Sequence, residues 1–279
     1  MDLHFVIRYG LTSKRLIYEI ETRNPMKKTV QQLKAMKGKE KISMLTCYDY
    51  SFAKAIGGRA DILLVGDSLG NVVLGYPKTR NVLMEDMLRH VGAVRRGAPE
   101  AFIVGDLPFG AYENEKDALG NARRLLEAGA DAVKPEGKPE IVRALAKAGI
   151  PVMAHLGLLP QTAEKFGVVG RGEEGEKLLK ESKEMEQAGA FSLVLETVPA
   201  SLAKKVTQSI SIPTIGIGAG KDTDGQVLVL YDLLGLFEDF KPKFVRKYAR
   251  LANVVRQAVV EYSIDVKKGN FPSREESFE

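Results

Sequence analysis

Residues 125–136 read LLEAGADAVKPE. The first half is rich in helix formers. Gly129 stands where a helix ends in the left-handed conformation. The apolar run after it is short and apolar on both sides, as a buried parallel strand requires. Lys134 and Glu136 follow two residues apart, so both side chains leave on one face. The same order of parts returns in LAKAGIPVMAHLG (145–157) and MEQAGAFSLVLE (185–196), with a variant in TQSISIPTIGIGAG (207–220). Gly149 and Gly189 repeat the cap, and Pro151 and Pro213 open strands, where proline is tolerated.

Working outward, strands are expected at 42–47, 61–66, 101–106, 131–135, 151–155, 191–196, 213–217 and 227–231. Helical patterns lie at 85–96, 115–128, 138–148, 173–188 and 199–209, and a long amphipathic helix is expected at 243–267. Eight strands alternating with helices predict an α/β fold of the closed (β/α)8 TIM-barrel type; an open doubly wound sheet is the alternative. No linker-like stretch divides the rest, so residues 29–279 read as a single barrel domain with a basic extension at 1–28. The tail FPSREESFE is expected to be irregular.

Composition narrows the function. The chain has 279 residues, 44% apolar and 28% charged, enough for a sizeable core. It lacks an apolar run of ~18 residues, so no membrane span is expected. No signal peptide is expected either. The single cysteine, Cys47, excludes an intrachain disulfide framework. The cytoplasm is therefore the expected compartment. Tryptophan is absent and aromatics are few, which argues against a nucleic-acid platform. The net charge of +5 is local: residues 1–41 hold 10 Lys/Arg and 4 Asp/Glu, leaving 31 basic and 32 acidic residues for the remainder. The barrel body is nearly neutral and the basic excess sits in the N-terminal arm.

Chemistry in such a barrel belongs to the C-terminal strand ends. Four acids stand there: Asp67 in LLVGDS, Asp106 in FIVGDLPF, Glu136 in AVKPEG and Glu196 in LVLETVP. Converging carboxylates suit a hard cation such as Mg2+. Each also has an ordinary reading. Asp67 and Asp106 could cap the helices that follow, Lys134 and Glu136 could form a strand-end ion pair, and Glu196 could be a structural ion-pair member or a general base. His155 reads as a satisfied hydrogen bonder. GIGAG at 216–220 reads as a tight turn more readily than as a phosphate loop, because Asp222 and Asp224 follow it. No nucleophile motif, P-loop or dinucleotide fingerprint is present.

In order, TCYDYSFA, LLVGDSLGNVVLGY, HVGAVRRGAP, GDLPFGAY, AVKPEG, AHLGLLPQT, LVLETVP and IGIGAGKDTDGQVLVLYDLLG closely resemble the ketopantoate hydroxymethyltransferase family. The resemblance covers about residues 29–279 and implies a barrel related to the phosphoenolpyruvate mutase group. It implies Asp67, Asp106 and Glu136 as Mg2+ ligands or metal-shell residues. It adds Asp67, Ser68, Asp106 and Lys134 as substrate contacts and Glu196 as proton acceptor. It further implies 5,10-methylenetetrahydrofolate as co-substrate, 3-methyl-2-oxobutanoate as acceptor, 2-dehydropantoate as product of a Mg2+-stabilised enolate, and a homodecamer. His155 matches a family histidine with no definite role. Two stretches depart from the pattern: Lys78-Thr79-Arg80-Asn81 replaces a Leu-Pro segment, and the loop at 166–171 is short. Residues 1–25 have no family counterpart, which makes Met26 a candidate start. The alternatives are a Mg2+-dependent C–C lyase or mutase of the same superfamily, which would carry a KKCGH-type cysteine motif that is missing here, and a non-catalytic assembly subunit using the basic arm.

Overall fold

The computed structural model describes residues 27–240 and 242–278. Most of the expected extension at 1–28 therefore lies outside the described residues. The chain divides into two compact units, Met1–Val227 and Leu228–Glu279.

The first unit is built on parallel strands β1 (Ile42–Thr46), β2 (Ile62–Val65), β3 (Ile103–Asp106), β4 (Ala132–Lys134), β5 (Met153–Gly157), β6 (Ser192–Glu196) and β7 (Thr214–Ile217), with β8 (Gly225–Leu228) completing the sheet. The strands neighbour one another in the order β4-β3-β2-β1-β8-β7-β6-β5. The two ends of that order also meet. Val133 bridges Val152 in parallel, the Val133 N–H donates to the Pro151 carbonyl at 3.0 Å, and the Gly137 N–H donates to the His155 carbonyl at 3.1 Å. The sheet therefore closes into a barrel, and the open-sheet alternative is excluded.

The expected helices form from the expected signals. Helix Glu115–Ala128 starts at Asn114, whose side chain accepts from the Asp117 N–H, and stops at Gly129 with φ 119. The barrel interior is filled by alternate strand residues: Ile42 and Met44, Ile62 and Leu64, Phe102 and Val104, Ala132, Met153, Val194, Ile215 and Val227. Leu33 and Met36, from and just after the short helix Val30–Ala35, join the same cluster. The intervening residues Leu63, Ile103, Val133 and Leu193 are also fully buried, facing the helical layer. Both faces of β2, β3 and β4 are thus buried, as the continuous runs in the sequence require, whereas β1 and β8 each expose one polar residue, Ser43 and Gln226. Gly225 is needed where β8 meets β1, because a Cβ there would lie 2.5 Å from the Ile42 carbonyl oxygen.

The eighth strand lies two to three residues earlier than expected, at Gly225–Leu228 instead of 227–231. Asp224 sets this register: its carbonyl accepts from the Ile42 N–H at 2.9 Å. In the second unit, helix Leu230–Leu234 ends at left-handed Gly235. The long helix spans Leu251–Lys268, not 243–267. The Tyr248 and Ala249 amides donate to the Leu233 carbonyl at 2.8 and 3.4 Å, which takes them out of a helical ladder and delays the start.

Candidate active site

The interior alternation that packs the barrel also builds the site. Asp106, Lys134, His155 and Glu196 each stand two residues beyond an interior apolar residue: Val104, Ala132, Met153 and Val194. Residues two apart share a strand face, so these four side chains enter the barrel above its apolar floor. Glu136 continues the series from Lys134. All but Glu196 are buried, and the Glu196 side chain is 15% exposed.

Asp67 breaks this alternation. β2 ends at Val65, and Gly66 turns the chain so that Asp67 is buried beside Asp106, its N–H donating to Asp106 Oδ2 at 3.0 Å. Neither aspartate caps a helix. Ser68 holds the cap position of the short helix Leu69–Val72 without a capping hydrogen bond, and its hydroxyl instead lies 2.9 Å from the Tyr48 hydroxyl.

Lys134 does not pair with Glu136. Its ammonium lies 2.8 Å from Asp106 Oδ1. That oxygen is off the line of a hydrogen bond and has no other partner. His155 stands between two acids, with Nδ1 3.4 Å from Glu136 Oε1 and Nε2 3.3 Å from Glu196 Oε2. Both are ion-pair distances without hydrogen-bond alignment.

The charges set one another. Burial, then the neighbouring Asp106 and Glu136 carboxylates, push Asp67 up to about 8. Burial raises Asp106 as well, against the pull of Lys134 and the Asp67 amide. Burial opposes the Lys134 ammonium, but the surrounding carboxylates of Asp106, Glu136 and Asp67 outweigh it and raise its pKa. Burial and Lys134 disfavour a charged imidazole, yet the facing Glu136 and Glu196 raise His155 to about 9, so the ring is protonated at neutral pH. Glu136 is held below the usual carboxylate range: burial opposes its charge, and His155, Lys134 and the Gln161 amide together prevail.

Two residues at this site carry no signal in strand periodicity. Gln161 follows Pro160 in the loop after β5, and Tyr112 follows β3. The Gln161 side-chain amide donates to Asp67 Oδ2 at 2.8 Å and its backbone N–H to Glu136 Oε2 at 3.1 Å. Tyr112 donates to Gln161 Oε1 and accepts from the Glu136 N–H. Both lie inside segments that carry the family resemblance, GDLPFGAY and AHLGLLPQT, which do not single them out.

Other motifs settle as structural. The GIGAG segment runs through left-handed Gly218 and Gly220 directly toward β8, with no helix N-terminus to receive a phosphate. Asp224 accepts from the Thr214 N–H at 2.9 Å and pairs with Lys37 at 2.8 Å. Asp49 caps the helix Tyr50–Ile56. His90 Nδ1 contacts the Tyr48 carbonyl. Burial pushes the Cys47 thiol up to about 12, which removes it as a nucleophile. In the departing segment Lys78–Asn81, the Arg80 guanidinium lies 5.8 Å from the centre of the Phe109 ring.

The acids suit a hard cation by donor type and by charge. Asp106 Oδ1 has the Lys134 ammonium 2.8 Å away but no aligned hydrogen bond, and burial, then like-charge crowding, raises Asp67, a stress that a cation would relieve. Among the described residues, no three His, Cys, Asp or Glu side chains form a ready-made cage. Mg2+ takes one or two carboxylates and completes its shell with water and substrate oxygens.

Comparison with known proteins gives the fold and the family. Among solved structures, phosphonopyruvate hydrolase in complex with oxalate and Mg2+ aligns over 88% of this chain and 92% of its own, with TM-score 0.59 at 15% identity. 2,3-Dimethylmalate lyase, titled a member of the PEP mutase/isocitrate lyase superfamily, covers 90% and 91% with TM-score 0.56, also at 15% identity. At that identity the likeness is one of fold. The 3-methyl-2-oxobutanoate hydroxymethyltransferase of Desulfotalea psychrophila is 55% identical over 91% of this chain and 95% of its own length. That of Thermotoga maritima is 53% identical over 89% and 96%, and that of Thermus thermophilus 50% over 91% and 100%. The family profile of ketopantoate hydroxymethyltransferase matches residues 27–274, and with those relatives it establishes that the chain belongs to the ketopantoate hydroxymethyltransferase family.

Proposed function

We propose that the protein transfers a hydroxymethyl group from 5,10-methylenetetrahydrofolate to 3-methyl-2-oxobutanoate, giving 2-dehydropantoate for pantothenate synthesis. Family membership supports the reaction. The observation that carries it to this chain is the inward convergence of Asp106, Lys134, His155 and Glu196 from four consecutive strands, joined by Asp67 and Glu136.

Asp67 and Asp106 would hold Mg2+, with Glu136 in its shell. Bound there, Mg2+ supplies Lewis-acid stabilisation of negative charge on the ketoacid oxygens. Lys134, kept charged by three carboxylates, presents an ammonium to the anionic substrate. Ser68, positioned against Tyr48, offers a hydroxyl to the same ligand. Glu196 takes the C3 proton, leaving the carbon free to bond to the one-carbon unit. Water supplies the hydroxyl oxygen, and tetrahydrofolate leaves. Protonated His155 lies 3.3 Å from Glu196 Oε2, on the inner side of the barrel.

The test is an assay of purified protein with the ketoacid and methylenetetrahydrofolate, with Mg2+, with EDTA, and with Asp67→Ala. We expect 2-dehydropantoate only from the unsubstituted protein with metal. Its absence under all conditions overturns the reading, and pyruvate release from a 2-methyl diacid would support the lyase alternative.

Self-association, as a decamer, belongs to the same proposal. Helix Leu251–Lys268 exposes Val254, Val255, Val259 and Tyr262 among others, more apolar surface than one helix leaves in water without a partner. Light scattering after gel filtration reads the assembly directly. No described helix is long and apolar enough to cross a membrane, and we place the activity in the cytoplasm.

A further inference from the structure

We propose that Gln161 is the positioning residue of the metal site, coupling the loop after β5 to Asp67 and Glu136 so that the two acids are held as one unit. The inference rests on the metal reading above.

Every hydrogen-bonding group of the Gln161 side chain is used, and the residue is 1% exposed. Its two amide protons go to Asp67 Oδ2 at 2.8 Å and to the Leu107 carbonyl at 2.9 Å. Its Oε1 accepts the Tyr112 hydroxyl proton. Turning the amide over would aim an oxygen at two acceptors, so the orientation is locked. Tyr112 has one proton and spends it on Gln161, and it accepts from the Glu136 N–H at 3.2 Å. The backbone N–H of Gln161 holds Glu136 Oε2 at 3.1 Å. One residue thus touches two of the three acids, and its hydroxyl partner touches the backbone of the second.

The chain reaches this point by a defined route. Gly157 ends β5 with φ 99, the Leu158 N–H donates to the Glu196 carbonyl at 2.9 Å, and a turn closes with the Ala163 N–H on the Leu159 carbonyl at 2.8 Å. The side chain reaches across to an acid 94 residues away in sequence. Its consequence is selective. Gln161 engages Asp67 Oδ2 and so restrains the orientation of that carboxylate. Partners behind a ligand of this kind typically change metal affinity about 10- to 100-fold.

The test uses the full chain with Mn2+ alone, titrated by calorimetry, and the EPR spectrum of the bound ion. We compare the unsubstituted protein with Gln161→Met, Tyr112→Phe and Leu125→Ala. Leu125→Ala controls for loss of stability, since Leu125 is buried outside the site. We expect Gln161→Met to weaken Mn2+ binding by about 10-fold or more with an altered spectrum. Tyr112→Phe, which keeps the ring packing, should weaken it several-fold, and Leu125→Ala should leave it within about twofold. If the unsubstituted protein binds Mn2+ and both site variants bind it equally well, the proposal is overturned while the metal reading stands. If Gln161→Met does not fold, Tyr112→Phe decides alone. If the unsubstituted protein does not bind Mn2+, the metal reading falls and takes this proposal with it.

Discussion

The Lys134 ammonium is 2.8 Å from Asp106 Oδ1, with both side chains at most 5% exposed. It bridges neighbouring strands, since Asp106 and Lys134 are register partners of β3 and β4. A buried pair of this kind contributes little net stability, but removing one member strands the other. Lys134→Met should therefore cost about 3 kcal/mol or more, with Asp106 left without a counterion. The double variant with Asp106→Asn should recover part of that loss. Urea unfolding of the four proteins in a double-mutant cycle reads the coupling; strictly additive losses would show that the pair is not coupled.

Glu196 differs from the two aspartates in its partner. Its Oε2 faces His155, which also faces Glu136, while the Asp67 N–H donates to Asp106 Oδ2. Glu196→Gln keeps the shape and removes the proton acceptor. We expect kcat to drop by roughly 10²- to 10⁴-fold, with Mn2+ affinity changed by less than about threefold. Equal loss of both would make Glu196 a metal ligand instead of a base.

Gly157 ties the position of Glu196 to the backbone. A Cβ at this glycine would sit 2.3 Å from the Glu196 carbonyl oxygen, and φ 99 is unfavourable for any L side chain. Gly157→Ala should destabilise the protein by at least about 2 kcal/mol and reduce kcat through displacement of Glu196. Chemical denaturation and steady-state kinetics test the two effects separately.

In the second unit, burial raises Asp232 to about 6 from 3.8, against the opposing pull of Lys247. Between those values the native state holds a proton that the unfolded chain has released, so stability is highest below pH 3.8 for this group and is lost as pH rises through about 6. The side chain is only partly buried, so the penalty is about 1–2 kcal/mol after screening by solvent. Asp232→Asn should raise the melting temperature at pH 8 and leave it nearly unchanged at pH 4. An equal gain at both values would exclude titration as the cause.

The sequence carried the barrel because its determinants are local. Glycine caps such as Gly129, apolar runs bounded by turns and prolines at strand starts each act within a few residues. Helix Glu115–Ala128 lies where its Asn114 cap and Gly129 stop require. The boundaries that moved answer to distant partners: the start of β8 follows the bond of Ile42 to Asp224, and helix Leu251–Lys268 starts late because the Leu233 carbonyl captures two amides.

The candidate site divides the same way. Asp106, Lys134, Glu136, His155 and Glu196 were readable because period-two alternation carries a strand's interior face directly to its C-terminal rim. That rule says which side chains enter one volume, and it says nothing about which of them touch. Lys134 chose Asp106 over Glu136, His155 lodged between Glu136 and Glu196, and Gln161 reached Asp67 from a loop. Those pairings depend on barrel closure, which brings β2 through β6 around a common interior, and on desolvation, which penalises any charge left without a partner. Sequence alone determined the strand–helix alternation and the strand-end residues; only the tertiary structure decided closure, and with it their partners and protonation.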